Sequence, residues 1–136
     1  MSESPLSATQ GRSATSGHQA YRTVEVQSSD PRMLVVMLFQ AAVRKVLRAR
    51  QALGEGQWEE KHTSISRAQE ILQHLSLALD ETRAPELAPR LAGLYAHLDR
   101  VLAEANLDND ADKLDYVLEI LTKLAEAWQE AVSRCS

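Results

Sequence analysis

Regular patterning begins at Asp30, where a polar, Ser- and Gln-rich stretch gives way to seven consecutive apolar residues, Met33 to Phe39. Asp30 can accept from an orphan N–H, and Pro31 has φ preset for a first turn, so a helix is predicted over 31–53, stopped by Gly54 and Gly56. Positions 58, 61, 65, 68, 72, 75 and 79 are then spaced alternately by three and four residues, with Lys61 the only charged member. This is the spacing of a packing seam, and it predicts a second helix over 57–80. A Leu-rich series at 87, 91, 94, 98, 101 and 105 predicts a third over 86–107. Pro89 restricts its start, because proline is tolerated only in a first turn. Asn109 and Asp110 offer caps for a fourth helix over 111–133.

Four long helices joined by short connections favour antiparallel neighbours, so the predicted fold is all-α, an up-down four-helix bundle spanning 31–134. Two stretches are more apolar than such a bundle needs. The Met33–Phe39 run leaves no polar face over two turns. On the fourth helix, a step of about 100° per residue puts Leu114, Val117, Leu121, Ala125 and Trp128 on one stripe. Tyr116, Ile120, Ala127 and Ala131 widen that stripe to roughly 200°, against about 100° or somewhat more for a single core-facing stripe.

Residues 1–20 have few apolar side chains and are expected to form a disordered tail, since little burial is available to offset ordering entropy. The alternation in "AYRTVEV" marks 21–30 as an extended docking arm.

Charge and chemistry narrow the function. Residues 1–50 carry seven basic and three acidic side chains, and the remainder eight and sixteen, for a net charge of -4. Arg44, Lys45, Arg48 and Arg50 form a local basic patch without interleaved aromatics, which disfavours nucleic acid as a partner and leaves room for an acidic one. The single cysteine, Cys135, has no internal partner, and no apolar stretch approaches the roughly 18 residues of a membrane span, so a cytoplasmic protein without membrane insertion is expected. Asp108, Asp110, Asp112 and Glu119 have calcium-loop spacing, but Lys113 occupies the position that needs glycine. Glu59 and His62 form one Glu-x-x-His pair where a di-metal bundle needs two. His74 and His97 have no nucleophile arranged around them. No catalytic, cofactor or metal site is therefore assigned, and a binding protein is the better class. A homodimer formed through the surplus apolar surface is the alternative.

The segments "AYRTVEV", "DPRMLVVMLFQAAV", "ALGEGQW", "LAGLYAHLDRVLAEANLDND" and "LAEAWQEAV", in this order across about residues 19–132, resemble the FliS family of flagellar export chaperones. Gln40–Ala41 and Ala84–Pro85 depart from the family pattern, which has an acidic residue and glycine at the first and a glycine pair at the second. The resemblance implies a non-enzymatic cytoplasmic chaperone that binds the disordered C-terminal segment of flagellin, prevents premature polymerisation and delivers it to the export-gate protein FlhA. A co-chaperone is compatible with that role. By the same resemblance, Tyr21 and its neighbour Val24 are expected at the export gate or as a cap on the bundle. Met37, Phe39, Tyr95, Tyr116 and Ile120 lie outside or beside the strict seams and are the expected flagellin contacts.

Overall fold

The computed structural model describes residues 30–80 and 84–135, which form four helices: α1 (Pro31–Gly54), α2 (Trp58–Leu77), α3 (Leu87–Asp108) and α4 (Ala111–Cys135). α1 packs on α2 and α4, and α3 packs on the same two, so the bundle is square in section with α1 and α3 on a diagonal. The expected tail and most of the arm, with Tyr21 and Val24, lie outside the described residues. Helix α2 ends at Leu77, three residues before the expected 80.

Local chemistry fixes the helix ends. Asp30 accepts from the Arg32 N–H at 2.9 Å and caps α1, with Pro31 in its first turn. Gly56 has φ +71°, the left-handed conformation that closes a helix, and the Gln57 N–H reaches back to the Ala52 carbonyl at 2.8 Å. Asp110 caps α4 by accepting from the Asp112 and Lys113 N–H groups. Its neighbour Asn109, read as a second cap for α4, instead ends α3 in the left-handed region at φ 53°. Asparagine is among the few residues with a side chain that enter this region readily.

The core is aliphatic, with one aromatic cluster. Leu38, Val46, Ile65, Leu72, Leu98, Leu102, Leu114 and Leu121 are fully or almost fully buried. Phe39, at 0% exposure, reaches across the diagonal to Tyr95, with ring centroids 6.0 Å apart, and lies against Trp128 at 6.4 Å. Trp58, expected to open the α2 seam inside the core, is 54% exposed. It is the first residue of its helix, beyond the end of α1, and the Lys61 ammonium lies over its ring at 5.9 Å.

The two ends of the square differ. At the end holding the α1–α2 and α3–α4 turns, every side carries a polar link. Arg48 pairs with Glu60 (α1–α2, 2.8 Å), Arg50 with Asp115 (α1–α4, 2.9 Å) and Lys113 with Glu104 (α4–α3, 3.0 Å). On the α2–α3 side, buried Lys61 donates to the Asn106 carbonyl at 2.9 Å and to the Asn109 side-chain oxygen, while Asn106 bonds His62 at 2.9 Å. Lys61 thereby meets the negative end of α3 without a carboxylate, which lets an ammonium lie in a core. The opposite end, where α1 and α3 begin and α2 and α4 finish, is predominantly apolar.

Candidate functional site

That apolar end contains an open cavity of about 440 Å³ to which all four helices contribute. Leu34, Val35 and Leu38 line it from α1; Leu75 from α2, with Leu79 just beyond that helix; Leu87, Leu91 and Tyr95 from α3; and Trp128 from α4. Arg32 and Asp80 are the charged side chains among its lining residues. The volume falls in the range of about 300–1,000 Å³ typical of ligand sites, and few polar groups are present to orient a small molecule. What such a surface accepts is aliphatic or aromatic side chains.

The cavity also accounts for much of the Met33–Phe39 run. Val36, Leu38 and Phe39 are buried, whereas Leu34 and Val35 are half-buried and turn toward the open end. Met33 and Met37 are half-buried and do not line the cavity.

A second apolar surface lies where α4 meets α3. Tyr116 is 43% exposed, Ile120 and Leu124 are half-buried, and Ala127 and Ala131 are exposed. The Tyr116 hydroxyl is 2.9 Å from His97 Nε2, and the two rings meet edge to face at 5.8 Å. The wide α4 arc read from the sequence is thus only partly covered by the bundle.

The five expected flagellin contacts separate accordingly. Tyr116 and Ile120 share the exposed α4 face, and Met37 is partly accessible on α1. Tyr95 is buried but borders the cavity. Burial alone pushes its phenol up to about 12. Phe39 has no accessible surface and is a core residue, because α1 faces two neighbours at once and its ring fills the space between them. The sequence reading missed Leu79, Leu87 and Leu91 as site residues. They fall in ordinary seams, and only the convergence of four helix ends shows that they line an opening.

None of the described helices is long and apolar enough to cross a membrane, and no group of three or more His, Cys, Asp or Glu among the described residues could hold a metal ion.

Comparison with known proteins identifies the family. The model of a family described as flagellar protein FliS matches residues 14–135. The flagellar secretion chaperone FliS of Salmonella typhimurium is 36% identical over 126 residues, covering 89% of this chain and 93% of the relative. The protein of that name from Escherichia coli is 32% identical, over 88% of this chain and 91% of the relative. The one from Bacillus subtilis is 30% identical, over 85% of each. With the family model matched over residues 14–135 and relatives of 30–36% identity covered over most of their length, the chain belongs to the FliS family of flagellar secretion chaperones.

Proposed function

We propose that this protein is a non-enzymatic cytoplasmic chaperone that holds the C-terminal segment of flagellin, keeps it from polymerising and presents it for export. The observation that carries the reading is the pair of apolar surfaces on one bundle, the open cavity and the Tyr116–Ile120 face, in a chain of this family. Both suit a segment that is disordered when free and folds as it covers them. Such coupled folding buries on the order of 1,000–3,000 Å² and loses several kcal/mol to ordering, so the complex is specific yet releasable. Tyr21 and Val24 are the arm residues that would meet FlhA, on the family resemblance alone.

Calorimetric titration with the C-terminal flagellin segment tests the reading. One-to-one binding with a large negative heat-capacity change is expected. Tyr116→Ala with Ile120→Ala, and separately Leu87→Asp at the cavity rim, should each weaken binding about tenfold or more while leaving helical circular dichroism unchanged. Undiminished affinity in both variants would remove these surfaces from the client site. No binding at all, with light scattering that gives a dimer mass, would favour the homodimer. For the arm, Tyr21→Ala should reduce co-purification with the cytoplasmic domain of FlhA and leave flagellin affinity unchanged.

A further inference from the structure

Helix α1 has five basic side chains and no acidic one, in a protein whose net charge is -4. Arg32 and Arg50 are neutralised by Asp30 and Asp115, and Arg48 by Glu60. Among the described residues, Arg44 and Lys45 have no ion pair or hydrogen bond, nor does Arg67 on α2, whose charge acts on Lys45. Lys45 is half-buried beside these cations. Burial first, then Arg67, Arg44 and Arg48, hold its ammonium below the ordinary lysine value, while Glu60 acts in the opposite sense. One carboxylate is therefore set against four cations on this face. The α1 sequence also places Leu47, 49% exposed, one turn beyond Arg44 and next to Arg48.

We propose that the Arg44–Lys45–Arg48–Arg67 face is a docking surface for an acidic segment of a partner protein that also carries an aliphatic side chain for Leu47. Charge complementarity selects the occupant. A few carboxylates would neutralise the cations that Glu60 leaves unpaired, and such complementarity governs specificity and encounter rate. Nucleic acid fits less well, because the patch offers no aromatic side chain for base stacking and the rest of the protein is acidic. The surface lies on the outer side of α1 and α2, away from the Tyr116–Ile120 face, so the proposal does not rest on the flagellin reading.

The test uses the full chain and a fluorescein-labelled helical peptide with Glu and Leu at i, i+3 and i+4 spacing, followed by anisotropy at low salt. A counterpart with Gln for Glu is the charge control. The acidic peptide should bind, weaken steeply with added salt, and lose roughly tenfold in affinity to R44E/R67E, since two attractive charges, exposed Arg44 and half-buried Arg67, become repulsive. R90E/R100E, reversing two exposed arginines on α3 that have no partner among the described residues, should retain wild-type affinity. Equal loss in both variants would reduce the effect to overall charge and overturn the proposal. So would equal binding of the Gln peptide, or no binding at low salt. A single-stranded oligonucleotide that displaces the peptide at lower concentration would assign the face to phosphate and overturn it as well.

Discussion

Phe39 joins the diagonal of the square, because its ring touches Tyr95 on one side and Trp128 on the other. Phe39→Ala should cost about 3–5 kcal/mol by urea denaturation, since three helices would border the void. Lys61→Met keeps the aliphatic stem but removes the donor that meets the Asn106 carbonyl, and about 1–3 kcal/mol should be lost. Tyr95 titrates in the opposite direction from a stabilised carboxylate. Its phenol keeps its proton to about pH 12 when folded, against 10.0 in the ordinary range. Its contribution to stability is full below pH 10 and is lost as the pH rises through about 12, because the unfolded chain binds fewer protons in that window. Spectrophotometric titration should show one tyrosine ionising last, together with loss of the helical signal. Burial at this scale was hard to read from the chain. Helical spacing gives the angle of Phe39 on α1 but not how many neighbours stand along that angle, so a residue in a surplus apolar run turned out to be central core.

The ends of the elements were the most legible feature, because caps act through residues adjacent in sequence. Asp30 with Pro31, Gly56 and Asp110 each act through local hydrogen bonds or a special φ that can be read without the fold. The end of α2 depends on what lies beyond it, and a seam of apolar positions extends past Leu77 although the helix does not. Two carboxylates at these boundaries make the bundle acid-sensitive. Arg32 holds Asp30 below its ordinary value of 3.8 through a side-chain hydrogen bond, and Arg48 does the same for Glu60 below 4.5. Lowered folded values contribute stability that is present above the ordinary range and lost as pH falls through the lowered ones. The melting temperature should therefore be flat near neutrality and drop below about pH 4. Arg48→Gln should make that drop shallower. On the cationic face, Lys45→Met should raise the melting temperature by about 1–3 °C, because the stem still packs and the crowding by Arg67 and Arg44 is relieved.

For the whole molecule, topology followed from four periodic segments and short connections, whereas the cavity did not. The Met33–Phe39 run flags Leu34, but no segment of the chain is unusual at Leu75, Leu87 or Leu91, and the opening is formed only where residues from four helices come together. The Tyr116–Ile120 face was legible, since an arc wider than one neighbour can cover must show on the outside. The contrast between the ends also lay beyond sequence reading: Arg48–Glu60, Arg50–Asp115, Lys61–Asn106 and Glu104–Lys113 join residues up to 65 positions apart. Amide hydrogen exchange should reflect that contrast, with the first turns of α1 and α3 exchanging faster than their last turns. Equal protection at both ends would show that these links add nothing to local stability.

The linked end gives the bundle the mechanics of a pair of tongs. The four charged ties form the fulcrum, and the helix ends around the cavity form the jaws. Any loosening at the tips would leave the fulcrum shut, because the ties lie at the other end. On the proposed function, a client seated there would be given up without unfolding of the carrier.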